Sequence, residues 1–103
     1  MKQLNVQIHP SRSQQLVVAA ALARLRRLHS TVRVAKGEGE VPYIDIDFRA
    51  DDLAKLWALV RQELVACVGL AESAIVVCEG QQGWDDYLLL HHYDSAVPLD
   101  DLG

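Results

Sequence analysis

The stretch from Tyr43 to Gly69 constrains the fold most, because its hydrophobic pattern changes period part-way along. Apolar and polar residues alternate over 43–48, which is the pattern of a half-buried β-strand. From Leu53 onward the apolar residues recur every three or four positions, as they do on one face of an α-helix. The stretch therefore predicts a strand followed at once by a long amphipathic helix. The apolar stripe of that helix consists of Leu53, Leu56, Trp57, Val60, Leu64 and Cys67.

Helix ends are predicted from residues that satisfy free backbone groups. Asp51 or Asp52 offers a carboxylate to the first N–H groups of the long helix, and Gly69 is placed to end it in a left-handed conformation. An earlier helix is predicted over 11–29, where Ser11 and Gln14 have the spacing of a capping box. We expect both helices to bury one side against a common sheet.

Strands are predicted on either side of these helices. Residues 3–8 alternate between apolar and polar types until Pro10 prevents further pairing, and residues 31–35 repeat the alternation. The turn 36–40 contains two glycines and joins 31–35 to the strand that begins at Tyr43. The last two strands are predicted over 73–78 and 87–93, with the loop 79–83 between them.

The hairpin register follows from the faces of its two strands. Val34 must share the core face with Ile44 and Ile46. The two residue numbers in each cross-strand pair must therefore add up to an even number. We predict that Val34 pairs with Ile44, which places Arg33 opposite Asp45 on the outer face.

The element order β-α-β-β-α-β-β predicts an α+β fold of the ferredoxin-like, split βαβ type, with a fifth C-terminal strand. The expected sheet is antiparallel in the order 5-4-1-3-2, and both helices lie on one of its faces. Residues 1–94 form a single domain, and residues 95–103 are expected to be a flexible acidic tail.

Composition excludes several classes of protein. Half of the 103 residues are apolar, which argues against disorder, and the formal net charge of −4 argues against nucleic-acid binding. We find no apolar run long enough to span a membrane and no secretory signal at the N-terminus, so we expect a cytoplasmic protein without membrane contact.

The fifth predicted strand carries large apolar groups on both faces. If Leu88 and Leu90 face the core, the alternate residues form an amphipathic stripe on the sheet face that the helices leave open. Such a stripe needs a cover, which is the tail, a ligand or, as we expect, a second subunit. The candidate dimer-interface residues are Tyr87, Leu89, His91 and Tyr93.

Polar residues on the open face are candidates for chemistry. Asp45 and Asp47 lie on one side of their strand, a spacing that suits a divalent ion or acid–base work, but an outer strand face with Arg33 as ion partner explains them as well. His91 and His92 point to opposite faces, so they do not form a metal site. We predict no catalytic residue, metal or cofactor. The ligand-binding candidates are Tyr43, Asp45, Asp47, His91 and Tyr93.

Two functions remain open. The first is a non-enzymatic binding module, homodimeric, that takes a small ligand or a protein partner on the open sheet face. The alternative is a small dimeric enzyme with a pocket on that face, in which His91, Tyr93, Asp45 and Asp47 supply the polar groups. We favour the module, because the sequence contains no recognisable nucleophile–base pair.

Overall fold

The computed structural model describes residues 1–37 and 41–102, which form an α+β fold with a five-stranded antiparallel sheet and two α-helices. The strands lie in the order 2-3-1-4-5, which confirms the predicted order. Neither of these helices is long and apolar enough to cross a membrane. The elements are β1 (Lys2–Ile8), a short 3₁₀ turn (Pro10–Arg12), α1 (Val18–Arg26), β2 (Val32–Gly37), β3 (Tyr43–Ala50), α2 (Leu53–Ala66), β4 (Ala74–Gly80) and β5 (Gly83–His91).

The core lies between one face of the sheet and the two helices. Every second residue of β1, β3 and β4 is buried, as the alternation predicts, while the residues between them remain partly exposed on the other face. Buried residues of α1 and α2 belong to the same hydrophobic cluster as this inner sheet face, so the helices cover one face and leave the other open. Side chains of the core that are completely inaccessible include Leu4, Val6, Ile8, Leu25, Ile46, Phe48, Val60 and Val76.

The hairpin of β2 and β3 has the predicted parity but not the predicted pairing. Val34 pairs with Ile46 rather than with Ile44, and Arg33 therefore pairs with Asp47 rather than with Asp45. The predicted turn 36–40 lies partly outside the described residues, but Lys36 and Gly37 belong to β2. A slip of two residues keeps every side chain on its face, so the hydrophobic pattern alone cannot distinguish the two registers.

The first helix is shorter than predicted. It begins at Val18 rather than at Ser11, and its N-cap residue Val17 makes no side-chain capping bond, so the predicted capping box is wrong. The hydroxyl of Ser13 instead accepts from the backbone N–H of Gln15 at 3.3 Å, a local bond that competes with helix formation. The segment before α1 thus remains a loop.

The second helix agrees closely with the prediction. Asp52 is its N-cap and accepts from the backbone N–H of Lys55 at 3.0 Å, and Gly69 has the left-handed φ of 83° just beyond its end. Trp57 is the exception within the stripe, because its side chain is only half-buried and lies under the guanidinium of Arg61. The ring therefore packs at the margin of the core.

The last strand differs most from the prediction, because β5 spans Gly83–His91 rather than 87–93. Leu89 pairs with Val77 but His91 pairs with Val76, so Leu90 is an extra residue that forms a β-bulge. The bulge reverses the alternation beyond it. His91 therefore lies on the helix side of the sheet with Val76, and the prediction that it faces the open side is wrong.

The end of the tail lies at the outer edge of β5. Leu102 packs against the hydrophobic core, and Asp100 makes hydrogen bonds with the backbone of Leu89. The flexibility expected for this acidic tail stays a prediction, but its position is along the edge of the sheet and not over the open face.

Candidate functional site

The polar half of the open face is a network of amides and carboxylates on β1 and β3. Asn5 Nδ2 donates to Asp47 Oδ1 at 2.8 Å and to Asp45 Oδ1 at 3.3 Å, and Gln7 Nε2 donates to Asp45 Oδ1 at 3.4 Å. Each carboxylate therefore already has a donor in the protein. Over residues 1–37 and 41–102, no three His, Cys, Asp or Glu side chains are grouped so that they could hold a metal ion.

The other half of the open face is apolar. Trp84 and Tyr87 on β5 are 42% and 56% exposed, and they line a depression of about 330 Å³ together with Ile75 and Val77 of β4 and, at its polar side, Asn5 and Gln7 of β1. The indole Nε1 of Trp84 donates to Gln3 Oε1 at 3.2 Å, which holds the ring over the sheet. We call Ile75, Val77, Trp84 and Tyr87 the open-face patch.

The end of the open face near the 3₁₀ turn is built by a sharp change of chain direction. His9 continues the outward set of β1, and its backbone N–H donates to Ser73 O at 2.7 Å, which fixes it beside the start of β4. Pro10 opens the turn, and the backbone N–H of Arg12 donates to His9 O at 3.0 Å. This turn brings the Arg12 side chain back towards the sheet.

Five side chains from three segments meet there. The guanidinium carbon of Arg12 lies 3.7 Å from the centre of the Tyr93 ring, a cation–π contact. The Tyr93 ring is 5.7 Å from that of His9 and 4.4 Å from that of His92, and the Tyr43 ring is 6.1 Å from His9. We call His9, Arg12, Tyr43, His92 and Tyr93 the His9 cluster.

Hydrogen bonds orient the imidazole of His9. Its Nε2 lies 2.9 Å from Gln7 Oε1, and Gln7 directs its amide nitrogen to Asp45, so the Nε2 of neutral His9 is the protonated nitrogen. Burial, and after it the nearby charge of Arg12, lowers the pKa of His9 below its usual value, against an opposing effect of Asp45. The neutral imidazole is thus the favoured form in the folded protein.

The structure brings together some of the predicted binding residues and separates others. Tyr43 and Tyr93 both belong to the His9 cluster, and Asp45 lies next to it through Gln7. Asp47 is further along β3.

His91 is separated from this group by the sheet. It lies on the opposite side of the sheet, where its Nε2 is 2.8 Å from the carbonyl oxygen of Ala71.

The predicted interface residues are similarly divided. Tyr87 lies on the open face and is exposed, and Leu89 is half-buried beside it. His91 and Tyr93 do not extend this stripe, because the bulge turns the former inward and the latter lies beyond the end of β5 under Arg12.

Sequence reasoning missed His9, Arg12, His92 and Trp84. For His9 the signal was present, since the alternation of β1 extended by one residue places it on the open face. Arg12 gave no such signal, because its position depends on a turn in a segment that we assigned to a helix.

Comparison of the chain with models of protein families, with curated proteins and with solved structures finds no match.

Proposed function

We propose that this protein is a small, non-enzymatic, cytoplasmic binding module that self-associates through its open-face patch and presents the His9 cluster to a ligand. The observation that carries the proposal is the apolar character of one half of the open sheet face. Large aromatic side chains on a sheet face that nothing in the described chain covers are typical of an interaction surface. We propose a second copy of the chain as the occupant of this patch.

The shape of the patch supports self-association. Trp84 and Tyr87 of β5 are exposed and border the depression that Ile75 and Val77 of β4 also line. A two-fold axis places Trp84 and Tyr87 of each copy against the depression of the other, which is an isologous contact. The aromatic groups are then withdrawn from water in both copies at once.

Addition of a strand at the edge of β5 is a less favourable way to form a dimer. Asp100 already occupies both backbone groups of Leu89 that point away from β4. A second copy that added a strand at this edge would have to displace the tail, whereas packing on the open face leaves the tail in place.

We assign the fold to the ferredoxin-like, split βαβ arrangement, extended by β5. The order β-α-β-β-α-β of the first six elements, the antiparallel order 4-1-3-2 of the first four strands and the placement of both helices on one face support this assignment. It agrees with the proposed role, because this arrangement leaves one sheet face free for binding.

Sedimentation equilibrium tests self-association. We expect the wild type to be a dimer at about 100 μM and Trp84→Asp to be a monomer, since the new carboxylate would be desolvated at the interface. Val65→Asp is the matched control, because Val65 is 84% exposed on α2, away from the open face, and this variant should remain a dimer. A monomeric wild type would refute the proposed interface, and so would equal effects of the two substitutions.

One observation favours the alternative of a small enzyme. The chain of contacts from Asp45 through Gln7 to His9 orients an imidazole, as a general base requires. His9 would then replace His91 among the polar groups that we predicted for the pocket of such an enzyme. We rank this second, because within residues 1–37 and 41–102 the His9 ring makes its side-chain hydrogen bond with Gln7 and with no hydroxyl or thiol. Hydrolysis of a chromogenic ester that is lost in His9→Gln, but not in His29→Gln, would favour the enzyme.

A further inference from the structure

The guanidinium of Arg12 is an exposed cation whose binding groups are unused. In the part of the chain that the structure describes, no carboxylate lies within 4.0 Å of it, and its N–H groups make no hydrogen bond. The ring of Tyr93 contacts the flat face of the guanidinium at 3.7 Å, which leaves the donors at its edge free. Stacking therefore fixes the orientation of Arg12 and leaves its hydrogen-bonding capacity for a ligand.

Two imidazoles lie on the same side of the molecule with defined tautomers. His92 Nδ1 accepts from the backbone N–H of Asp94 at 3.0 Å, so the Nε2 of neutral His92 carries the proton. His9 directs Nε2 to Gln7, so its Nδ1 is the nitrogen that gains a proton when the ring becomes charged. Both rings contact Tyr93. His92 has a free N–H at Nε2, and His9 gains one at Nδ1 on protonation; neither group bonds to the described protein.

The His9 cluster contains a cation and two imidazoles but no carboxylate. His9 is faced by Arg12, by His92 and, through Gln7, by Asp45. The Asp45 carboxylate accepts from the amides of Asn5 and Gln7, and the Asp94 carboxylate accepts from the backbone N–H of Ala96 at 3.0 Å. These two carboxylates do not cancel the repulsion between Arg12 and a positively charged His9. An anion bound against Arg12 would reduce that repulsion.

We propose that the His9 cluster binds a tetrahedral oxyanion, such as the phosphate group of a small ligand. Arg12 is the principal cation, His92 adds the N–H of its Nε2, and His9 adds a further donor at Nδ1 when its ring is protonated. Convergence of donors from separate segments suits an anion with several oxygens better than a planar carboxylate, which a guanidinium can hold alone. This inference rests on the proposed binding function, to which it adds the class of ligand.

Nuclear magnetic resonance titration with inorganic phosphate tests the site. We expect saturable shifts of the His9 and His92 ring signals, with a dissociation constant of about 1 mM. Arg12→Gln should weaken binding about tenfold or more, because hydrogen bonds to a charged group are lost. Arg27→Gln makes the same charge change on an exposed residue at the end of α1 and should alter binding less than about twofold. Equal weakening by both variants, or shifts that do not saturate, would overturn the proposal.

The role of the imidazoles is tested with sulfate, whose charge does not change over the pH range used. We expect tighter sulfate binding at about pH 6 than at about pH 8, because a proton gained at His9 Nδ1 adds a positive charge and a donor beside the anion. His9→Gln should reduce this pH dependence. Binding that does not vary with pH would show that His9 lies outside the site.

A third comparison identifies the source of the anion. Phenyl phosphate that binds more tightly than inorganic phosphate, with the gain lost in Tyr43→Leu, indicates an ester with a ring stacked on the cluster. Equal affinities indicate that the free anion is the ligand.

Failure of this site and failure of the proposed interface give different results. Trp84→Asp should remove dimers and leave phosphate binding intact, while Arg12→Gln should do the reverse. A wild type that is monomeric but binds phosphate would refute the interface alone. A dimer that does not bind phosphate would refute the oxyanion site alone.

Discussion

Asp100 and Leu89 are joined by two hydrogen bonds at the outer edge of the sheet. The backbone N–H of Leu89 donates to Asp100 Oδ2 at 2.8 Å, and the backbone N–H of Asp100 donates to the Leu89 carbonyl oxygen at 2.7 Å. One residue of the tail thus satisfies both edge-facing groups of this residue, as a neighbouring strand would. Edge strands commonly need such protection from pairing with other chains.

Removal of the Asp100 carboxylate should loosen this contact. In Asp100→Ala the Leu89 N–H loses its acceptor, and we expect a loss of about 0.5–1.5 kcal/mol in the free energy of unfolding together with faster hydrogen exchange at Leu89. Asp85→Ala removes an exposed carboxylate from β5, the strand that contains Leu89, and should change neither the free energy of unfolding nor the exchange at Leu89. Unchanged exchange at Leu89 in Asp100→Ala would show that the tail does not protect the edge.

The lowered pKa of His9 predicts a dependence of stability on pH. Burial and Arg12 lower this pKa in the folded protein, so the unfolded chain binds a proton at His9 more readily than the folded chain does. The contribution of His9 to stability is full above its unfolded pKa of about 6.5 and is lost as pH falls through the lower folded pKa.

Urea unfolding at a series of pH values measures this effect. We expect the decline of the free energy of unfolding below about pH 6.5 to be shallower in His9→Gln than in the wild type. His29→Gln is the control, and its decline should match that of the wild type. A His9→Gln curve parallel to the wild type would contradict the assignment.

The two large aromatic residues nearest the core should differ in their importance for stability. Phe48 is fully buried, and Phe48→Ala should cost about 3–5 kcal/mol. Trp57 is larger but only half-buried, so Trp57→Ala should cost about 1–2 kcal/mol. Denaturant unfolding of both variants gives the order, and Phe48→Leu provides a measurable value if the alanine variant does not fold. A loss of about 3 kcal/mol or more in Trp57→Ala would show that Trp57 belongs to the core.

The sequence predicted the sheet well because each strand has one clear apolar face. Alternation in β1 and β3 identifies the strands, and the connections between them restrict their order. Register is less well determined. Pairing Val34 with Ile44 or with Ile46 leaves the same residues in the core. The alternation of apolar and polar residues therefore cannot distinguish the two registers.

The site was harder to predict because two local irregularities create it. The bulge at Leu90 reverses the facing of His91, and no pattern in a run of three leucines indicates where an extra residue will be placed. The turn after His9 brings Arg12 onto Tyr93 although the two are far apart in sequence. Such contacts depend on tertiary structure and leave no periodic signal in the chain.

The two carboxylates of β3 should not form a tight metal site. Asn5 donates to both Asp45 and Asp47, so a cation would have to displace these bonds and would find no third carboxylate among the described residues. Calorimetric titration with magnesium, calcium or manganese should show no site tighter than about 10 μM. Such a site, lost in Asp47→Asn, would contradict the prediction and favour an enzyme.

Two glycines with left-handed backbone angles provide a matched pair of variants. Gly69 has φ of 83° and Gly83 has φ of 76°, so alanine is strained at either position by about 1–2 kcal/mol. The surroundings differ. A Cβ at Gly69 would lie 2.6 Å from Ser13 Oγ and 2.8 Å from the backbone nitrogen of Leu16, whereas the nearest atom at Gly83 is Glu79 Oε1 at 3.6 Å.

The loop before α1 packs directly on the end of α2 at Gly69, so a methyl group there must displace main chain as well as adopt an unfavourable φ. Gly69→Ala should therefore destabilise the protein by at least about 1 kcal/mol more than Gly83→Ala. Denaturant unfolding of the two variants measures the difference. Equal losses would mean that backbone strain alone determines both, and that the loop before α1 can move away from Gly69 at little cost.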